Sequence, residues 1–285
     1  MLGVMSDPQL PNAGTIEIGG DLTVNRLGFG AMRVTGNGIW GNPRDREQAK
    51  AVLRRAVDLG VTFIDTADSY GPAISEELLA EALHPYPDGL VIATKGGLVR
   101  PGPNAWRPDG RPEHLVQACE DSLRRLRLEQ IPLYQFHRPD PSVPLEDSIG
   151  ALVGLKEEGK IRHIGLSNVI EGQLRFAQTL TPIASIQNRY NTSDRGSESL
   201  VDLCMQEGIA FLPWAPIQNL DAGPARIAQR HGVTPRQIVL AWLLARSPAM
   251  LPIPGTGSIG HLEENMAAAA IELSADEVNS LTHRS

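Results

Sequence analysis

Apolar residues along the chain fall into two rhythms that take turns. Short continuous runs bounded by glycine, proline or polar residues predict buried strands. They cover Leu27–Gly30, Val61–Asp65, Leu90–Thr94, Leu133–Phe136, Ile161–Leu166, Ala184–Ile186, Ile209–Leu212 and Met250–Ile253. Between them lie longer stretches whose apolar positions repeat at helical spacing. The clearest carries Ala49, Val52, Leu53, Ala56 and Val57 on one face. Asn42 is its expected N-cap, Pro43 its first helical residue and Gly60 its stop. The next helices are predicted around Leu78–Leu83, then through Leu115, Ala118, Cys119, Ser122 and Leu126, then Leu145–Val153, Glu171–Leu180 and Ser197–Gln206. Pro224–His231, Pro235–Ala245, Leu262–Ala270 and Ala275–Thr282 follow. Thr15–Ile18 and Leu22–Val24, joined by Gly19-Gly20-Asp21, read as a hairpin that could plug the bottom of a barrel. Leu98–Gly110, with three prolines and Trp106, reads as a long loop.

Strand–helix alternation implies a parallel sheet. Eight such units within 285 residues, with no GxGxxG after the first strand, favour a closed (β/α)₈ TIM barrel over a doubly wound sheet. No low-complexity run or linker interrupts the pattern. The expectation is one α/β barrel domain over 1–285, residues 1–14 being a flexible lead-in and the hairpin closing the bottom.

Composition narrows the function classes. A chain that is 41% hydrophobic and 21% charged is ordinary for a soluble globular protein. Its net charge of -7 offers no basic field for nucleic acid or anionic membrane, so an anionic ligand needs a local site. Nothing approaches the ~18 consecutive apolar residues of a membrane helix. The two cysteines, Cys119 and Cys204, sit in separate helical patterns without metal-ligand spacing and read as reduced packing residues. These features predict a cytoplasmic monomer, without metal, whose partner is a small molecule.

Polar residues stand where the strands end: Asp65, Lys95, His137, Ser167-Asn168, Gln187, Trp214 and Thr256. In a closed barrel these exits share one rim, where barrel active sites lie. An Asp at a strand end is commonly a turn former, and a single Lys or His there is commonly a solvated group. Four compatible groups on one rim are a different matter. A phenol titrates near pH 10 unperturbed, and a neighbouring ammonium is expected to lower that value. Asp65 would hold Lys95 charged beside Tyr70, and His137 would hydrogen-bond a substrate carbonyl. That arrangement suits carbonyl reduction by hydride transfer.

Several motifs carry a resemblance to the aldo-keto reductases over essentially the whole chain. They are Asn25-Arg26-Leu27-Gly28-Phe29-Gly30-Ala31-Met32, the run from Phe63 through Asp65 to Tyr70-Gly71, Thr94-Lys95, and Lys160 through Ser167-Asn168. Gln187-Asn188-Arg189-Tyr190-Asn191 and Ile253-Pro254-Gly255-Thr256 through Asn265 complete the series. The resemblance implies NADP(H) bound without a Rossmann domain and a catalytic tetrad of Asp65, Tyr70, Lys95 and His137, with Tyr70 as general acid. It implies that Ser167, Asn168 and Gln187 hold the nicotinamide carboxamide and that Trp214 stacks on the ring. Ala31, Met32 and Asp65 also fall at cofactor positions. Ala215, Ile217 and Asn219 match a pyrophosphate loop; Gly255, Thr256, Gly257, Ser258, His261, Glu264 and Asn265 match the adenosine end.

The chain departs from the family where Lys or Arg often bind the 2′-phosphate, having Gly255, Gly257 and His261 instead. Thr256, Ser258, helix-start N–H groups and His261 would then take that load, and NAD(H) use becomes plausible. The short stretch after Trp214 is expected to form no long flap. Met32, Trp40, Tyr70, Trp106, His137 and Arg138 are the expected substrate frame, suited to a flat aldehyde. The nearest branch by resemblance contains bacterial pyridoxal reductases. Two other readings stand beside reduction: a Schiff-base lyase using Lys95, and a cofactor-binding regulatory subunit like the potassium-channel β subunits.

Overall fold

In the computed structural model, which describes residues 13–218 and 222–283, the chain opens with an antiparallel hairpin, β1 (Thr15–Ile18) and β2 (Leu22–Asn25). A parallel sheet follows. It comprises β3 (Phe29–Gly30), β4 (Phe63–Asp65), β5 (Val91–Gly96), β8 (Ile131–Phe136), β9 (Ile161–Ser167), β10 (Ile183–Gln187) and β11 (Ala210–Phe211), hydrogen-bonded in that order. A second antiparallel pair, β6 (Leu98–Gly102) and β7 (Ala105–Pro108), is inserted after β5. The expected loop over Leu98–Gly110 is therefore corrected to a hairpin. Its prolines at 101 and 108 lie in a two-stranded ribbon, where a missing N–H does no harm on the open side.

The eighth barrel segment, expected as a strand over Met250–Ile253, forms only one isolated bridge, Phe211 to Met250. It still closes the ring. Phe211 N donates to Ala249 O and Leu251 N to Phe211 O on one side, while Gly28 N and Gly30 N donate to Pro252 O and Pro254 O on the other. Pro252 and Pro254 have no N–H to give, so a regular ladder is not available here. Carbonyls alone make the seam with β3. The result is a (β/α)₈-like barrel.

The helices, α1 (Arg46–Asp58), α2 (Ile74–Leu83), α3 (Pro112–Leu126), α4 (Leu145–Glu157), α5 (Glu171–Gln178), α6 (Glu198–Glu207), α7 (Ala222–His231), α8 (Pro235–Arg246), α9 (Ile259–Ala267) and α10 (Ala275–Thr282), follow their apolar faces. In α1 (Arg46–Asp58) Ala49, Val52, Leu53 and Ala56 are buried. The helix begins later than expected: its N-cap is Asp45, whose carboxylate accepts from Gln48 N, so Asn42 and Pro43 lie outside it. Gly60 ends the turn at φ 84°, donating to Val57 O. In α3 (Pro112–Leu126) the buried set is Leu115, Ala118, Cys119, Ser122 and Leu126, the predicted face. Among the described residues no helix is long and apolar enough to cross a membrane.

Inside the barrel the composition changes along its axis. Phe63, Val91, Ala93, Leu133, Leu212 and Leu251 form one buried cluster with Ile18, Leu22 and Val24 of the hairpin. One pleat further on, the same strands present Asp65, Lys95 and Gln135. Period-two alternation explains this: Ala93 and Lys95 share a face, as do Leu133 and Gln135, and Lys95 pairs in register with Gln135. The ring of strands thus has an apolar end and a polar end.

Candidate active site

Strand register brings the polar end together. Lys95 Nζ lies 2.6 Å from Asp65 Oδ2, 2.8 Å from Thr66 O and 3.3 Å from Tyr70 Oη. Lys95 is wholly buried, and Asp65, Tyr70 and His137 nearly so. A buried ammonium persists only when its protons are accepted by partners, and here a carboxylate, a carbonyl and a phenol do so. The Tyr70 and His137 rings meet edge to face with centroids 5.9 Å apart. All four expected tetrad residues converge.

Two further groups belong to this cluster. Gln135 Nε2 donates to Asp65 Oδ1 at 2.9 Å, and Gln187 Nε2 donates to the same oxygen at 2.8 Å. The carboxylate is therefore fixed by Lys95 on one oxygen and two amides on the other. Gln135 was missed in the sequence, although a glutamine inside the apolar run Leu133–Phe136 was the available signal. Its space is made by Gly165: a Cβ there would lie 2.9 Å from Gln135 Cγ and run into Ser185 Oγ. Ser69 was also missed. Its Oγ stands 3.4 Å from His137 Nδ1, while Nε2 has no protein partner among the described residues.

Electrostatics correct one expectation. Burial, the largest influence, raises the Tyr70 pKa, and although Lys95 pulls it down, the net direction is upward. The phenol stays protonated because a phenolate would be desolvated and would also face Asp65. For Lys95 desolvation works downward, yet Asp65 and Tyr70 outweigh it and the ammonium is held charged. His137 is pushed well below the usual imidazole range by burial, then by Lys95 and Arg138, so its ring is neutral.

A cavity of about 410 Å³ opens above these groups. Asp65, Tyr70 and His137 line its floor, and Met32, Trp106 and Arg138 are on its walls. Trp40 is not among the lining residues. It is 37% exposed and flanks Arg100 on the outside, at 5.7 Å from the guanidinium carbon. Trp106 instead faces inward, edge to face with Tyr70 at 6.3 Å and with His137 at 6.4 Å.

The expected cofactor positions divide into two groups. Met32, Ser167, Asn168, Gln187, Trp214, Ala215, Ile217 and Gly255 line the cavity beside Asp65. Trp214 Nε1 donates to Asn168 Oδ1 at 3.2 Å, and Asn168 Nδ2 donates to His137 O, which pins the indole to the tetrad wall. Asn168 at φ 59° and Ala215 at φ 53° both take the left-handed conformation, a strain concentrated beside the cavity. Ser167 Oγ donates to Gln187 O. Gln187 Oε1 is left free to accept, since its amide nitrogen does the donating.

Ala31 is buried behind the cavity, its carbonyl taking a hydrogen bond from Ser75. Thr256, Gly257, Ser258, His261, Glu264 and Asn265 lie beyond the cavity, around the start of α9 (Ile259–Ala267). Thr256 Oγ1 accepts from Ser258 N and Ser258 Oγ from His261 N, so both hydroxyl protons remain to be donated. Glu264 instead receives Thr234 Oγ1 at 2.7 Å. Gly255 is held tight against β3, where a Cβ would strike Gly30 O. Asn219, with residues 220 and 221 of the stretch expected to form no flap, lies outside the described residues.

The chemistry of these residues suits a dinucleotide. The cavity wall offers an indole face and the Gln187 amide oxygen, and beyond Gly255 two hydroxyls stand before the start of α9.

Comparison with known proteins accords with this geometry. A family model described as "Aldo/keto reductase family" matches residues 26–223 and 218–284. An uncharacterized oxidoreductase of Schizosaccharomyces pombe is 50% identical over 273 residues, covering 93% of this chain and 87% of its own length. Pyridoxine 4-dehydrogenase of Escherichia coli is 41% identical over 272 residues, covering 92% of this chain and 95% of its own. Among solved structures, an aldo/keto reductase from Klebsiella pneumoniae in complex with NADP and acetate superposes with a TM-score of 0.79 at 31% identity. That match covers 94% of this chain and 93% of the other.

Proposed function

The chain belongs to the aldo/keto reductase family, and from that premise we propose that its cavity reduces an aldehyde to an alcohol, with Tyr70 as general acid. NADP(H) is the cofactor, and carbonyl reduction dependent on it is the activity class. The observation that carries the reading is the bridge made by Lys95, whose ammonium touches Asp65 and Tyr70 at once beneath the cavity.

The residues divide the work by what each can do. Trp214 offers flat apolar area against which a nicotinamide would stack, and Ser167, Asn168 and Gln187 would hold its carboxamide. Ala215 and Ile217 would flank the pyrophosphate, while Thr256, Ser258 and His261 would take the adenosine phosphate. NADPH supplies the hydride. The substrate oxygen sits between Tyr70 Oη and His137 Nε2, both directed at the charge that develops there. Neutral His137 donates one hydrogen bond to that oxygen, and Tyr70 surrenders its proton. Lys95 lowers the cost of the resulting phenolate, and Asp65 keeps Lys95 charged and aimed.

The substrate class we favour is a flat aldehyde such as pyridoxal. Trp106 and Met32 present apolar walls beside the tetrad, and a relative at 41% identity is a pyridoxine 4-dehydrogenase. The hairpin residues Ile18, Leu22 and Val24 would plug the barrel's apolar end, leaving chemistry at the other. A Schiff-base lyase is disfavoured because Lys95 is held charged and its protons are already taken.

Replacing Tyr70 by Phe tests the reading. Aldehyde reduction should fall by about a hundredfold or more, the scale of a lost general acid, while NADPH binding stays near wild type. Wild-type turnover in Tyr70→Phe would refute it.

A further inference from the structure

Arg100, on β6, lies half-buried and has no carboxylate partner among the described residues. Its guanidinium instead donates to five backbone carbonyls. Nε reaches Ala105 O at 2.8 Å; one terminal nitrogen reaches Ile39 O at 2.7 Å and Ser69 O at 3.0 Å. The other reaches Gly38 O at 2.9 Å and Gly102 O at 3.4 Å. These oxygens come from three separate segments: the loop after β3, the turn that carries Tyr70, and the β6–β7 ribbon. The same guanidinium carbon lies 3.7 Å from the centre of the Trp106 ring. A cation against an indole face is attractive, more so when partly desolvated.

Without this residue the three segments share few ties. Asn104 N donates to Gly38 O, and Gly41 N to Gly71 O. Each joins two of them. Among the described residues Arg100 alone bonds to all three, and it also lies against the ring that meets Tyr70 and His137 edge to face.

We propose that Arg100 is a positioning residue that sets substrate specificity, clamping Trp106 and the Gly38-Ile39 loop into one fixed wall beside Tyr70. The inference rests on the reductase reading of the cavity and adds to it a preference for flat substrates. A planar fork with five N–H donors suits the five acceptors; a lysine ammonium has three donors and no plane to stack on the indole. Bulky planar aldehydes, which need the wall, depend on Arg100. Short aliphatic aldehydes, which reach Tyr70 and His137 without touching Trp106, depend on it little.

The experiment compares the full chain with Arg100→Lys and Arg100→Met, each saturated with NADPH, using benzaldehyde and propanal. The expected result is a loss in kcat/KM for benzaldehyde of about tenfold or more, carried mainly by KM, with propanal changed less than about threefold. Equal losses on both aldehydes, or none on either, would overturn the proposal. Hydrogen exchange provides a readout independent of activity. In both variants the amides of 38–41 and 102–106 should exchange faster, while those of α3 keep wild-type protection. Unchanged exchange in those two segments would likewise overturn it. A wild-type chain inert towards every aldehyde, but with the exchange result as expected, would sink the reductase reading and leave the clamp standing.

Discussion

Lys95 Nζ stands 2.6 Å from Asp65 Oδ2 with the two side chains 0% and 4% exposed, so a sealed ion pair lies under the cavity floor. Desolvating two charges is expensive, and what makes the pair tolerable is further hydrogen bonding: Thr66 O and Tyr70 on the ammonium, Gln135 and Gln187 on the carboxylate. Breaking one half should therefore be worse than removing both. Lys95→Met or Asp65→Asn alone should destabilise by roughly 3–5 kcal/mol, the scale for an orphaned buried charge. The double variant should recover a substantial part of that loss. Urea unfolding of the four proteins measures it, and additive losses would contradict the coupling.

Gln135 makes a separable prediction. Gln135→Met keeps the volume but removes a donor from Asp65 Oδ1, leaving only Gln187. Reduction should slow by about three- to tenfold, in line with roughly 1 kcal/mol for one hydrogen bond, with NADPH affinity unchanged. A variant as fast as the parent would mean that Gln187 alone aims the carboxylate.

His137 should contribute no titration to the rate. Burial, reinforced by Lys95 and Arg138, holds its pKa well below the ordinary value, so the ring is neutral across the range where free imidazole changes charge. The reduction rate should show no inflection near pH 6.5. An inflection there that vanishes in His137→Gln would contradict the assignment.

Asp68 carries the opposite kind of shift. Burial, with Glu76 nearby, raises its carboxyl to about 8, and its Oδ1 is buried without a partner. An acid whose folded pKa is raised binds more protons folded than unfolded, so stability is lost as pH rises from about 4 to 8. Below that window there is no cost. Asp68→Asn should therefore raise the melting temperature at pH 9 and change it little at pH 4. A uniform shift at both pH values would argue that packing, not ionisation, is responsible.

Gly255 tests the seam that closes the barrel. A methyl there would meet Gly30 O, on the strand whose next neighbour carries Asp65. Gly255→Ala should cost about 1–3 kcal/mol as an overpacked contact and should weaken NADPH binding. Thermal melts with and without NADPH separate the two effects.

How far the site could be read in advance depended on what kind of signal each residue leaves. Asp65, Lys95 and His137 end apolar runs, so the same periodicity that locates a strand also locates its exit. The face of α3 was legible for the same reason, with Leu115, Ala118, Cys119, Ser122 and Leu126 buried as spaced. Arg100 was missed because its partners are backbone oxygens, which no pattern of residue types encodes, and Gln135, though it stands out in an apolar run, because its partner Asp65 is far away in sequence. Helix starts suffered similarly. Asn42 and Asp45 are both good caps, and only the observed bond to Gln48 N distinguishes them.

From its residues alone this chain carried the alternation of strand and helix, the side of the barrel where polar groups gather, and the identities of four converging side chains. Those follow from local periodicity, which each segment possesses by itself. The state of those side chains was decided only when the barrel closed. Burial outweighed the ammonium and kept Tyr70 protonated, and register set Gln135 against Asp65. Desolvation and register depend on what surrounds a residue in space, and that information is not present in any one stretch of sequence.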